Sequence, residues 1–278
     1  MLSVQASTIG PATDIDSAQN GTVHSVFRHA VNIEVGRDLW TLLASGQPDL
    51  PFGVRLVLND CGALRATRGA QVAIRAGFIG IGRCTPETVV DCRSAIRWQR
   101  PMPREIAPRL ESRLALLASL IHDRCWNGSA AMAENVMGRL AGDPHSLGEV
   151  LGAVVGRGPG LTPAGDDVLV GIFAGLTLAP STQAVAQAQV LARALDPHLA
   201  STCDLSAHLL RQASRGLFGR ALHELVSALA ADTPPDLLHA RIDRVVKVGA
   251  TSGADACAGV LAATRHLFLL HIAEKAAA

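Results

Sequence analysis

Gly156-Arg-Gly-Pro-Gly-Leu-Thr-Pro-Ala-Gly-Asp-Asp167 interrupts two apolar helical patterns with glycines, prolines, a threonine and two adjacent carboxylates. Glycines let backbone approach a ligand closely and take positive φ. A threonine before a proline reads as an N-cap followed by the first helical residue. The stretch therefore describes a loop that ends in a helix N-terminus, where exposed N–H groups and the macrodipole attract anions. An ordinary turn needs far less, so this segment is the floor expected of a site.

The same pattern returns downstream. Asp167-x3-Gly171-x2-Ala174 is echoed by Asp255-x3-Gly259-x2-Ala262, each copy preceded by Thr162-Pro163 with Gly165 or by Thr251-Ser252 with Gly253. Positions i, i+4 and i+7 share a helix face. Each helix then carries an acid at its start and a strip of small residues along which another backbone can pack. The expectation is that the two helices pack together with their N-termini at one pocket, bringing Asp166, Asp167 and Asp255 near one another. An antiparallel pairing would defeat it. The bland alternatives are a long glycine-rich helix entry for residues 158–167 and a capping box for Ser252-Gly-Ala-Asp255. The entry accounts for Thr162, Pro163 and one acid, but not for a second acid and the other glycines.

Outward from these helices, the helical period governs everything after Pro101. Ile106, Leu110, Leu114, Leu117 and Ile121 share one face of a helix over 104–125. Further helices are expected at 129–141, 146–155, 166–178, 183–195, 204–215, 218–231, 235–248 and 254–274. Arg97-Trp-Gln-Arg-Pro-Met-Pro103 has the prolines of a linker. Before it, strands are expected at Phe52–Leu58, Ala63–Thr67, Gln71–Ala76 and Phe78–Gly82, and a helix at Arg37–Leu43. The organisation expected is an α+β chain: a flexible arm over residues 1–20, a β-rich domain over 21–100 and a helical domain over 104–278.

Composition narrows the function classes. The chain has 278 residues, 49% of them apolar, enough for two cores. A net charge of +1 and the absence of tyrosine exclude the footprint of a nucleic-acid binder or an anionic-membrane binder. Cys61, Cys84, Cys92, Cys125, Cys203 and Cys257 form no Cys-x-x-Cys pair, and no secretory leader stands at the N-terminus. The longest apolar run, Val168–Pro180, is too short to span a bilayer. These features fit a cytoplasmic, reduced protein.

Two further segments are candidates. In Ser201-Thr-Cys-Asp-Leu-Ser-Ala-His208, Thr202 and Ser206 share a face, flanked by a polar stripe of Asp204, His208, Arg211 and Arg215. On physics alone a solvated helix face wins there. In His24-Ser-Val-Phe-Arg-His29, Arg28 could pair with a carboxylate or phosphate, and a surface strand edge is as good a reading. The other histidines are scattered, without metal-ligand spacing.

Gly158–Asp167, Thr202-x3-Ser206-x3-Leu210-x2-Ala213, Val248–Asp255 with Gly259, and Val23–Asn32 resemble the successive motifs of one bacterial family, the AllH-type subunits of oxamate carbamoyltransferase. The resemblance runs from about residue 20 onward. Ala164 stands where the family more often has serine. The resemblance implies a subunit of a hetero-complex in allantoin and purine-nitrogen breakdown, which interconverts oxalurate plus phosphate with oxamate plus carbamoyl phosphate. Such chemistry needs a phosphate site and stabilisation of developing charge. The candidate anion cradle is Gly158, Gly160, Leu161, Thr162 and Gly165, with Thr202, Ser206, Thr251, Ser252 and Gly253. Asp166, Asp167 and Asp255 would hold an amide N–H, or one would act as a base with its pKa raised by like-charged neighbours, or Asp166 and Asp167 would hold Mg²⁺. The competing classes are a non-catalytic ligand-binding or scaffolding subunit and a metal-dependent ureide or amide hydrolase.

Overall fold

The N-terminal unit closes on itself. A computed structural model describes residues 1–82, 86–101, 106–142, 146–178 and 181–277, with side chains to residue 269. Cys84, His145, Met102-Pro103 of the linker and the expected helix start at 104 lie outside the described residues. Two units divide at Arg100 and Pro101.

Residues 1–100 carry β1 (Leu2–Ile9), β2 (Gln19–Val26), β3 (Ala30–Val35), β4 (Asp38–Leu43), β5 (Gly53–Leu56), β6 (Gln71–Arg75), β7 (Phe78–Ile81), β8 (Thr88–Asp91) and the short β9 (Ile96–Arg97). The pairing order β5-β4-β3-β2-β6-β7-β8-β1 is closed by β1 against β5, an eight-stranded barrel with β9 added beside β1. Closure removes exposed strand edges.

Three expectations fail here. The flexible arm is instead β1, parallel to β8 with Leu2 opposite Thr88 and antiparallel to β5 with Ala6 opposite Leu56. Its inward residues Val4, Ala6 and Thr8 alternate with exposed Leu2 and Gln5. The expected helix at Arg37–Leu43 is β4, joined to β3 by a two-residue turn in which Gly36 sits at φ 63°. Leu39 to Leu43 are all buried, so the strand lacks the alternation that would have revealed it. At Ala63–Thr67 the chain makes a 3₁₀ turn, Cys61–Leu64, capped by the Asp60 carboxylate accepting from the Gly62 N–H at 2.7 Å. Arg28 does meet a carboxylate, Asp60 at 3.5 Å, in an exposed pair; its strand neighbour β2 is interior, not an edge.

The second unit is helical: α1 (Leu110–Ile121), α2 (Ser129–Gly142), α3 (Leu147–Val154), α4 (Ala164–Leu176), α5 (Thr182–Leu195), α6 (Asp204–Ala213), α7 (Arg220–Ala230), α8 (Pro235–Val246) and α9 (Ser252–Ala277). The α+β expectation therefore holds. No helix of the described residues is long and apolar enough to cross a membrane.

α4 and α9 form the axis of this unit. One apolar core gathers α1, α7 and α8 around Ala254, Cys257, Val260 and Leu261 of α9; another gathers α2, α3, α5 and α6 around Val168, Leu169, Ile172 and Phe173 of α4. A helix buried on every side must be apolar all round, and in α4 only Val170 escapes full burial.

The glycine strips set the distance between the two helices. A Cβ on Gly171 would fall 1.9 Å from the Ala256 carbonyl oxygen, and one on Gly259 would fall 2.1 Å from the Val168 oxygen. Residues 171 and 259 occupy equivalent places in the echo, as do 168 and 256. The contact is thus made twice in reciprocal form, the mark of a local two-fold. Gly175 meets Val260 and Ala263 further along. Both positions advance together, so the helices run parallel and their acidic starts lie side by side.

Candidate functional site

The start of α4 differs in detail from the expected cap. Pro163, not Thr162, is the N-cap residue, its carbonyl accepting from the Asp166 and Asp167 N–H groups at 2.9 and 3.2 Å. Gly165 N–H donates to the Arg157 carbonyl at 2.8 Å, and a Cβ at 165 would strike Val154 O. Gly165 is therefore a packing and hydrogen-bonding position, with no N–H left for an anion. Gly253 has the same employment: its N–H donates to the Val248 carbonyl at 3.0 Å and its bare Cα meets Val245 O.

Freed from capping, Thr162 turns its hydroxyl towards Asp167 Oδ2 at 3.0 Å. The same hydroxyl lies 3.0 Å from Ser252 Oγ at the start of α9. The two copies of the echo thus meet through their hydroxyls. Thr251 stands next to this contact, half-buried, its carbonyl accepting from the Asp255 N–H.

The three acids have distinct surroundings, and all are buried. Asp166, 2% exposed, accepts at Oδ1 from the Gly156 N–H (2.9 Å) and at Oδ2 from the Thr202 hydroxyl (2.5 Å). Ser206 lies beside it without a well-formed hydrogen bond. Asp255 is fully buried, with Oδ1 accepting from the Trp126 N–H (2.8 Å) and the Ser129 hydroxyl (2.7 Å), while Oδ2 has no partner. Ser252 and Asp255 consequently form no capping box: each reaches outward, one to Thr162 and the other to the chain entering α2.

Asp167, 8% exposed, has hydroxyl partners only. Burial pushes its carboxyl up to about 7; the Ser252 and Thr162 hydroxyls oppose the shift, and the nearby Asp255 and Asp166 charges add to it. The expected cause was like-charge repulsion, but desolvation dominates. Asp166 is raised too, again by burial, with Thr202 and the Gly156 N–H holding it down. No Lys, Arg or His pairs with any of the three acids among the described residues.

A resident Mg²⁺ does not fit. Both oxygens of Asp166 already accept hydrogen bonds, and among the described residues no three His, Cys, Asp or Glu side chains are grouped to hold a metal. A hard divalent cation needs several free oxygens.

The loop above the acids is suited to an anion. Gly158 and Gly160 lie at φ 105° and 108°, a region that side-chain-bearing residues rarely enter. Among the described residues, the N–H groups of Gly158, Gly160, Leu161 and Thr162 find no protein acceptor. Successive unsatisfied N–H groups of this kind form an anion-binding concavity. The Cys203 thiol points to the Leu161 carbonyl at 3.2 Å, tying the loop to the segment before α6. Thr202 and Ser206, candidates from that segment, therefore do reach the site. The expected solvated stripe on α6 is incomplete, because His208 is buried against Gln212.

Gly156, Trp126, Ser129 and Cys203 were not anticipated as site neighbours. Ser129 opens an expected helix and so is recognisable as a candidate cap, but nothing in sequence links it to an acid 126 positions away.

Family models agree with the motifs that build this arrangement. A model described as oxamate carbamoyltransferase subunit AllH matches residues 154–264, and one described as AllH family N-terminal domain matches residues 3–97. The chain belongs to the AllH family. No curated protein and no solved structure matches it. The first matched stretch runs from the end of α3 through the α4 loop, α6 and the start of α9, so it contains Asp166, Asp167, Thr202 and Asp255.

Proposed function

We propose that this chain is a subunit of a carbamoyl-transferring complex that interconverts oxalurate and phosphate with oxamate and carbamoyl phosphate, in the cytoplasmic breakdown of purine nitrogen. Its family supports the subunit assignment. The five described cysteines are all unpaired, in keeping with a reducing compartment.

One observation carries the assignment of the site: Asp167, with a carboxyl near 7, is held by hydroxyls from both copies of the echo beneath a loop of unsatisfied N–H groups. In the forward reaction a phosphate oxygen bonds to the carbamoyl carbon of oxalurate, the bond from that carbon to the oxamate nitrogen breaks, and the proton lost by phosphate ends on that nitrogen. The N–H groups of Gly158 to Thr162 would hold phosphate oxygens. The proton needs a carrier balanced near neutral pH. Asp167 meets that need through the Thr162 and Ser252 hydroxyls, which makes it a positioning and proton-holding residue for groups that touch substrate.

The test is Asp167→Asn in the assembled complex, followed by oxamate-dependent consumption of carbamoyl phosphate. The rate should fall at least ~100-fold, in the range general acid–base catalysis contributes, with a flattened pH profile around 7 and unchanged assembly. An unaltered rate and profile would remove Asp167 from the reaction. The structural employment of Asp166 and Asp255 favours a second reading, a ligand-binding subunit without catalysis. Under it, Asp167→Asn weakens phosphate or oxamate binding and leaves turnover at saturation intact.

A further inference from the structure

The site just described is incomplete as one chain, in charge and in cover. Three carboxylates stand behind the glycine loop and no described cation meets any of them, yet phosphate, oxamate and carbamoyl phosphate are all anions. Anions brought against buried acids without a counter-charge are repelled in a medium that screens poorly.

The cover is missing as well. Two cavities of about 600 Å³ lie in the helical unit, but one is walled by Trp126, Glu134 and Arg265 and the other by Arg113, Asp232 and Pro234; neither is lined by the loop. The loop itself lies open, and at its tip Leu161 is 72% exposed. A carbamoyl group in transfer must be kept from water, as reactive intermediates generally are.

The Leu161 side chain is also held out by construction. Gly158 and Gly160 take conformations that prevent the loop from folding back, and the Cys203 thiol pins the Leu161 carbonyl from below. A rigid apolar tip beside unsatisfied N–H groups has the form of an interface anchor: an apolar centre ringed by polar groups.

We infer that the Gly158–Thr162 loop docks into another subunit of the same complex, which encloses Leu161 in an apolar socket and contributes the arginine or lysine side chains that the acidic site lacks. The inference rests on the function proposed above, because the complex supplies the partner. Charge complementarity selects a basic partner face over a second copy of this chain, whose own loop would bring the same acids.

The test reconstitutes the complex from wild-type partner subunits with Leu161→Asp, with Leu237→Asp as a control. Leu237 is 48% exposed on α8, away from the loop. Leu161→Asp should keep its melting temperature, weaken association at least tenfold in analytical ultracentrifugation, and lose carbamoyl phosphate consumption in proportion. Leu237→Asp should assemble and turn over as wild type. Wild-type association should also weaken as salt is raised from 50 to 300 mM. Assembly of Leu161→Asp within twofold of wild type overturns the docking; salt-independent association overturns the basic face. Asp167→Asn separates this inference from the one beneath it. Loss of assembly in Leu161→Asp alongside full turnover in Asp167→Asn would leave the interface standing and the proton-holding role refuted.

Discussion

Removing the charge of Asp167 should stabilise the protein, and by an amount that depends on pH. The carboxyl goes from the ordinary 3.8 to about 7 on folding. A folded-state value above the unfolded one means that the native chain binds the proton more tightly. Below pH 3.8 both states are protonated and the group has no effect. Between 3.8 and 7 the native state must either hold a proton or bury a charge, so stability declines as pH rises. Above 7 the penalty is constant. Three units at about 1.36 kcal/mol each give a ceiling near 4 kcal/mol, with about 1 kcal/mol already present at pH 4.5 and about 3 at pH 6. Asparagine keeps the shape and can still meet the Thr162 and Ser252 hydroxyls, which rotate to suit. Urea unfolding of wild type and Asp167→Asn at pH 4.5, 6 and 8 should therefore show a stability gap that widens and then levels, the variant being the more stable. A gap independent of pH, or a variant less stable at pH 8, refutes the buried, hydroxyl-only environment assigned to Asp167. Coupled with lost turnover, such a gain is the signature of a residue kept for function at the expense of stability.

Gly171→Ala should cost ~3 kcal/mol or more, because its Cβ would lie 1.9 Å from the Ala256 oxygen and the α4–α9 pair must part. Gly138→Ala, in α2 with nothing within 4 Å, should instead gain up to about 1 kcal/mol, so calorimetry on the two variants must give opposite signs. Ser129→Ala removes a 2.7 Å bond to a fully buried carboxylate and should cost about 1.5–3 kcal/mol in urea unfolding, while phosphate affinity is unchanged.

What sequence revealed, and what it hid, follows from the range of the forces involved. Helix periodicity is local, and every expected helix after Pro101 has a counterpart within a few residues of its limits. The Gly/Ala strips announced a close, parallel pairing because only bare Cα atoms permit one. The barrel was harder. β1 is a run of small and polar residues that becomes a strand only through β5 and β8, some 50 and 86 residues away. β4 is buried on both faces, which erases the alternation that marks a strand. At the site, Thr162, Asp167 and Ser252 were legible because the echo placed them at equivalent helix starts. Trp126 and Ser129 were not, since their bond to Asp255 is a tertiary accident that no spacing encodes.

The local two-fold makes the inequality of Asp167 and Asp255 informative. Equivalent positions on equivalent helices should begin with equivalent surroundings, and Gly156 after α3 and Gly249 after α8 both open their connections at positive φ. The connections then diverge. Only four positions separate Gly249 from Gly253, whereas nine separate Gly156 from Gly165. In the short copy the acid points into the protein, where a backbone N–H and the Ser129 hydroxyl fix it. A backbone donor cannot give up its proton or turn away, so Asp255 serves as a pin for the start of α2. In the long copy the extra residues form the open loop, and Asp167 is answered by hydroxyls, which donate or accept by a simple rotation. Only such an acid can gain and lose a proton without breaking the fold around it. The reactive half of the pair is therefore the half whose loop was lengthened.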